Sequence, residues 1–324
     1  MRIENDCIAV ELDPATGGFA SLYDKRRDCE YVIAPDRALL FRLMAPDGEL
    51  AHVHIDSAEP EIAVCGTTAT LTYCLAGIAA TVTLTIDGDA ILAGLSLANT
   101  GASNIEEVMF PMLRGVGPIP GGQLIAPNFW KRRYDDPFGK DLGGDHRTWN
   151  DWTQKFHSRY PAYMASAWID YGCEAHGLAV EGRHTDFSIM DFFVHKILEK
   201  DRDPVRRTLD IAIVHPRRVR PGESYVSSPV RIVLHEGDWH AVADAHRAWL
   251  DTWIGKPDRP ARFAESIGWH FFFMKHQDGL VCHTYADLPK LARAALAIAL
   301  APSRVRTPFT RSPSLRNCSA VCPS

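Results

Sequence analysis

Tryptophans and ionisable side chains crowd one stretch of this 324-residue chain. Asn128-Phe129-Trp130 is followed by Gly143-Gly144-Asp145-His146-Arg147-Thr148-Trp149-Asn150-Asp151-Trp152. Flat indole faces cover the apolar C–H face of a pyranose while Asp and His hydrogen-bond its hydroxyls, so Trp130, Asp145, His146, Trp149 and Trp152 are candidate sugar contacts. The same tryptophans would also serve to plug the open end of a large sandwich, and their positions in the chain do not separate the two readings. Asp145 and His146 offer two metal donors without a third at workable spacing, so no metal is expected. His184 ends a strand-like run and precedes Thr185-Asp186. A His-Asp pair there would polarise a ligand hydroxyl; a hydrogen-bonded strand-end histidine is the plainer reading. Lys275 and His276 follow an apolar run and would meet substrate hydroxyls at the mouth of a barrel, whereas Asp278 before Gly279 reads as a turn residue. His215, His235, His240 and His246 read as structural. No Gly-rich phosphate loop, Gly-x-Ser-x-Gly elbow or nucleotide fingerprint occurs, and no cofactor is expected.

The elements that must hold these side chains follow from periodicity. From Ile8 to about Val233 the apolar residues mostly alternate with polar ones, with turns every eight to twelve residues, as in an antiparallel β-sandwich. Ile8-Ala9-Val10-Glu11-Leu12, the turn Asp13-Pro14-Ala15-Thr16-Gly17-Gly18 and Phe19-Ala20-Ser21-Leu22-Tyr23 make a hairpin. Further strands are expected at 39–44, 61–65, 68–75, 79–86 and 90–99. The span from Val108 to Pro161 reads as loops rich in Gly, Pro and aromatics, and strands resume at 162–171, 177–182, 186–195, 207–215 and 230–235. From Asp238 to Ile254 the period changes: Trp239, Val242, Ala243, His246, Trp249, Leu250 and Trp253 share one helical face, with Gly237-Asp238 as cap and Gly255-Lys256-Pro257 as stop. Ser266 to Lys275 reads as a buried strand and Ala286 to Leu300 as the helix packing over it, one β/α unit. A closed barrel needs roughly 250 residues, and the pattern gives way after Leu300 to a Pro/Ser/Arg-rich tail.

Composition narrows the class. With 46% hydrophobic and 23% charged residues the body of the chain is globular, and a formal charge of -5 with interspersed signs gives no basic field for nucleic acid. The acidic N-terminus does not read as a secretory signal and no segment approaches eighteen apolar residues, so a cytoplasmic protein without membrane partners is expected. Of the eight cysteines, Cys7, Cys29, Cys65, Cys74, Cys173 and Cys282 lack ligand spacing and are expected as buried free thiols, while Cys318 and Cys322 lie in the irregular tail. Nothing in the sequence sets the oligomeric state.

Several stretches resemble known proteins. Val10-Glu11-Leu12-Asp13-Pro14-Ala15-Thr16-Gly17-Gly18-Phe19 through Lys25 resembles the first hairpin of galactose-mutarotase-like β-supersandwiches, as does Leu97-Ala98-Asn99-Thr100-Gly101 followed by Ile105-Glu106-Glu107-Val108-Met109-Phe110-Pro111. The run from Tyr160 to Trp168, then Gly177-Leu178 to His184, and the linker from Glu236 to Trp249 fit glycoside-hydrolase-like proteins in which such a sandwich precedes a catalytic barrel. Together these resemble the DUF6259 group of glycosidase-like proteins over nearly all of residues 1–300. The resemblance implies a β-supersandwich at 1–236, a linker helix and connector at 237–262 and the first β/α unit of a truncated barrel at 263–300; where those proteins continue the barrel, 301–324 departs from them as an irregular, disordered tail, read as a frame-shifted or truncated end or as a natural one. Glycosidases use two facing carboxylates, which in barrels sit at strand C-termini. The expected function is therefore the carbohydrate-associated sandwich of a glycoside-hydrolase-like protein, catalytically incomplete, with carbohydrate as partner. The alternatives are a non-catalytic carbohydrate-binding module and, without the Asn-His signature of mutarotases, a sugar epimerase.

Overall fold

Period-two alternation carries into the structure, a computed structural model that describes residues 1–48, 51–129, 131–139, 141–142, 155–255, 274–275 and 279–300, with side chains through 296. The chain divides into two units, Met1–Gly255 and Lys256–Ser324. In the first, β1 (Arg2–Glu4), β2 (Ile8–Leu12), β3 (Phe19–Asp24) and β4 (Cys29–Glu30) form a four-stranded sheet. There follow β5 (Arg42–Asp47), β6 (Ala51–Asp56), β7 (Glu61–Cys65), β8 (Thr68–Leu75), β9 (Ile78–Asp87), β10 (Ala90–Asn99), β11 (Glu107–Val116), β12 (Gln123–Ile125), β13 (Arg133–Tyr134), β14 (Lys155–Tyr160), β15 (Trp168–Gly172), β16 (His176–Gly182), β17 (Met190–Glu199), β18 (Arg206–His215), β19 (Ser224–Val226) and β20 (Val230–Glu236). One large sheet runs β13-β12-β15-β16-β20-β10-β9-β8-β7 with β19 beside β10, and the other runs β14-β17-β18-β11-β5-β6. Neighbouring strands are antiparallel, which fits the alternating pattern of sheets with one buried face.

The core lies between these sheets. On β9, Ile78, Ala80, Val82, Leu84 and Ile86 point inward and the intervening threonines outward. They share one buried cluster with Leu43, Val108, Phe110, Phe192, Ile211 and Ile213 of the facing sheet and with Ile3, Ile8 and Val10 of the small one. Each such side chain contributes roughly 1.5–3 kcal/mol on burial. The opening hairpin turns where glycine is required: Gly17 has φ +74°, and a Cβ there would lie 2.1 Å from the Tyr73 hydroxyl oxygen. Asp13 stabilises that turn by accepting from the Thr16 N–H at 3.1 Å and its hydroxyl at 2.8 Å.

Helix α1 (His240–Trp253) belongs to the first unit. Its expected face is the covered one: Val242 and His246 are buried, and Trp239, Ala243, Trp249, Leu250 and Trp253 are half-buried. Val242, Trp239 and Ala243 pack with Ala90, Ile125, Trp168, Ala179 and Val233, and Trp239 stacks on Trp168 with centroids 6.2 Å apart. An ionic clamp completes the docking. His246 Nδ1 lies 2.7 Å from Glu181 Oε1, while Arg183 and Arg231 reach the other carboxylate oxygen at 2.9 and 3.1 Å.

Several expectations are corrected. The span 108–161 is not all loop, because Glu107–Val116 is a ten-residue strand and Lys155–Tyr160 another. Pro111 and Gly115 disguise β11: register shifts fall between Met109 and Met112 and between Leu113 and Val116, so the Pro and Gly mark irregularities inside a strand. Strands expected at 162–171 and 186–195 form at Trp168–Gly172 and Met190–Glu199, and Ala51–Asp56 adds an unanticipated one. The six described cysteines are free but not fully buried: Cys7, Cys29 and Cys173 are half-buried and Cys65, Cys74 and Cys282 exposed. Cys65 and Cys74 occupy exposed positions on β7 and β8.

In the second unit, Lys275 bridges to Val281, and a 3-10 turn at Tyr285–Asp287 leads into α2 (Leu288–Leu300). Thr284 and Asp287 form a capping box there, with the Asp287 carboxylate accepting from the Thr284 N–H at 2.8 Å. The helix expected at 286–300 thus forms at Leu288–Leu300. Residues 266–273 of the strand expected before it and the tail 301–324 lie outside the described residues. No described helix is long and apolar enough to cross a membrane.

The clamp predicts a stability defect. Glu181→Ala leaves Arg183, Arg231 and His246 facing one another without a counter-charge, and should cost about 3–5 kcal/mol, measured as a lowered denaturant midpoint. Burial alone would push the Glu181 carboxyl up, but the His246 contact and the two arginines outweigh it and hold it below the usual 4.5. Its contribution is therefore complete above the ordinary carboxylate range and lost as pH falls through the lower folded value, so the acid-induced fall in midpoint should be shallower in Glu181→Ala.

Candidate functional site

Strand β14 alternates Phe156, Ser158 and Tyr160 into the core with Lys155, His157 and Arg159 outward. Its partner β17 turns Met190 and Phe192 inward and Asp191 and Phe193 outward. Register sets His157 against Phe193 and Arg159 against Asp191, then Asp191 against Val214 and Val214 against Met109. Four adjacent strands thereby contribute to one outer-face floor, with Glu107 two residues before Met109 on the same side. The cleft over this floor has a volume of about 910 Å³, in the range of small-molecule sites.

Its electrostatics are unequal. Arg159 Nε and Nη2 donate to the two oxygens of Asp191 at 2.7 and 2.8 Å, and His157 Nε2 stands 3.4 Å away. Burial would raise the Asp191 carboxyl, but Arg159 and His157 overcome it and hold it down at about 2. The same Asp191 contact raises His157 above its ordinary value. Glu107 differs: no hydrogen bond or ion pair reaches its carboxyl among the described residues, and burial, with the Asp191 charge, pushes it up. One carboxylate is fixed in its ionised form while another is biased toward the protonated form, a separation typical of functional clefts. At the rim, Lys131 donates to Asp141 at 3.1 Å and lies over the Tyr134 ring.

Of the side chains expected from sequence to contact a sugar, Trp130, Asp145, His146, Trp149, Trp152 and His276 lie outside the described residues. The described residues flanking 143–154, namely Asp141-Leu142 and Lys155-Phe156, all line the cleft. His184 lies elsewhere, in a second cavity of about 730 Å³ with His215, Tyr225 and Asp186, sharing no lining residue with the first. It is 5% exposed and packs edge-on against Tyr160. Neither of its ring nitrogens meets a partner among the described residues, and burial lowers its pKa. The expected pairing with Asp186 does not form, because the Asp186 carboxylate accepts from the Ser188 N–H at 3.1 Å instead. Lys275 is exposed in the second unit. His215, His235 and His246 are buried and bonded to Phe110 O, Asp170 and Glu181. Among the described residues no cluster of three or more His, Cys, Asp or Glu could hold a metal.

Glu107, His157, Arg159 and Asp191 were not singled out from sequence. The signal was present in the charged alternation Lys155-Phe156-His157-Ser158-Arg159-Tyr160 and in an acid inside the apolar run Met190-Asp191-Phe192-Phe193-Val194, which mark strands whose outer face is charged.

No family model matches the chain, DUF6259 included, and no curated protein matches it. Among solved structures, the GH36 alpha-galactosidase AgaA of Geobacillus stearothermophilus, in complex with 1-deoxygalactonojirimycin, is similar over 80% of this chain and 44% of its own at 10% identity, with a TM-score of 0.51. The chain thus spans less than half of that enzyme. A galactose mutarotase related enzyme from Lactobacillus acidophilus is matched over 74% of this chain and 99% of its own, at 10% identity and a TM-score of 0.48. The likeness to the alpha-galactosidase shows a shared β-sandwich fold.

Titration checks the cleft directly. Carboxyl-detected NMR should place the Glu107 midpoint above that of an ordinary glutamate and Asp191 near 2, and Asp191→Asn should lower the His157 midpoint. A Glu107 midpoint at or below the ordinary value would contradict the desolvated site.

Proposed function

We propose that the first unit is a carbohydrate-handling sandwich of the galactose-mutarotase-like, DUF6259 type from a glycoside-hydrolase-like cytoplasmic protein, with the Glu107 cleft as its sugar site. The observation that carries this is the cleft floor: the two-bonded Arg159–Asp191 fork, a Glu107 carboxyl that no partner reaches among the described residues and the Phe193 and Tyr134 rings face one space. A pyranose presents hydroxyl donors and acceptors at its rim and C–H groups on its face, and these groups answer both. The tryptophans of the sequence at 143–154 are of the residue type that covers a sugar's C–H face, which is in keeping with the same reading. The fold shared with a glycosidase solved with 1-deoxygalactonojirimycin is in keeping with it.

This sandwich binds without cutting. Hydrolysis of a glycoside needs a second carboxylate free to act as nucleophile or base, and both Asp191 oxygens are engaged by Arg159. One further reading rests on the same cleft: Glu107 and His157 both line it, and a carboxyl and an imidazole facing one space are the groups an acid/base interconversion of anomers would use.

Calorimetric titration with an oligosaccharide panel should give binding. Asp191→Ala, which removes a charged hydrogen-bonding partner, should weaken it roughly tenfold or more, and Trp149→Ala or Trp152→Ala should weaken it while the protein stays folded. Aryl glycosides should not turn over; turnover abolished by Glu107→Gln would sink the non-hydrolytic reading. Polarimetry decides for the epimerase if anomer interconversion is faster than in buffer and lost in Glu107→Gln.

A further inference from the structure

Resting on the carbohydrate reading, we propose that this cleft prefers acidic sugars, with Lys155 meeting the carboxylate of a uronic acid. The charges of the cleft can be followed pair by pair. Asp191 is taken up by Arg159, with His157 beside it, and Asp141 by Lys131 and the Asp136 N–H at 2.9 Å. Lys155 has no such partner: among the described residues no carboxylate reaches its ammonium, which stands 5.9 Å from the centre of the Phe193 ring. Lys155 and His157 sit two positions apart on one strand face, roughly 7 Å between their Cα atoms. Asp191 favours the protonated form of His157, so the imidazole adds positive charge on the same edge. Across the floor stands Glu107, whose ionisation burial disfavours. The floor is therefore cationic along β14 and weakly anionic opposite.

A neutral sugar would leave that cationic edge uncompensated. A uronate carries its ring hydroxyls to the fork and its carboxylate to Lys155, forming a charge-assisted hydrogen bond there. A sugar phosphate shares the anionic chemistry, but its larger charge calls for more than one permanent unpaired cation, and Glu107 repels it once ionised.

The experiment is calorimetric titration of the full chain with digalacturonate, with galactobiose and with galactose 6-phosphate, at low and raised salt. The expected result is digalacturonate binding roughly tenfold tighter than galactobiose, the size of one charge-assisted contact, with the difference shrinking as salt rises. Lys155→Gln should reduce that ratio to within about twofold, and Lys155→Arg should keep it. Equal affinity for the two disaccharides, or a preference untouched by Lys155→Gln, overturns the uronate assignment and leaves the carbohydrate reading standing. Tighter binding of the phosphate overturns the choice of carboxylate. Binding of none of the three overturns the uronate assignment, and failure across a wider neutral panel overturns the carbohydrate reading as well.

Discussion

An ionised carboxylate with a side chain only 5% exposed is unfavourable unless something holds it, and at Asp191 the Arg159 fork does. Much of the cleft follows from that pair. It ties β14 to β17 on the outer face, where the core exerts no pull, and it sets the charge of His157 from one side. Its negative charge also reaches Glu107, where it adds to burial in disfavouring a second ionised carboxylate. Asp191 is thus held ionised while His157 and Glu107 are both biased toward their protonated forms, Glu107 chiefly by burial, because a partly desolvated floor screens charges poorly.

The other large sheet uses buried charge differently. Glu181 gathers His246, Arg183 and Arg231, and Asp170 meets His235 at 2.6 Å. Burial pushes the Asp170 carboxyl up against the pull of His235. Here the Glu181 cluster is closed, with the carboxylate saturated by partners and a helix docked over it. The Glu107 carboxyl is the open counterpart. That contrast, rather than the presence of histidines and acids, separates a structural cluster from a candidate site. His184 fits neither class: among the described residues its buried ring nitrogens meet no partner, unlike those of the closed cluster, and Asp186 does not pair with it.

The sandwich, the opening hairpin and the covered face of α1 were legible because each depends on local periodicity. Alternation along Thr81-Val82-Thr83-Leu84-Thr85-Ile86 can bury only one side of a strand, and the three- and four-residue steps from Trp239 to Trp253 can bury only one side of a helix. β11 was read as loop since Pro111 and Gly115 are breakers in isolation, whereas in the sheet its neighbours β5 and β18 hold them within an irregular strand. The clamp on α1 shows the same division. His246 was placed on the right face, but Glu181, sixty-five residues earlier, could not be named as its partner.

Local pattern therefore decided which residues point inward, since that choice depends on side-chain polarity and backbone period alone. Cross-strand register decided which outward residues meet. Arg159 and Asp191 lie thirty-two residues apart and become neighbours through the β14–β17 pairing, and a slip of one residue would have sent one of them to the core. Charge state came last, because desolvation and the distance between charges exist only once the sheet is assembled.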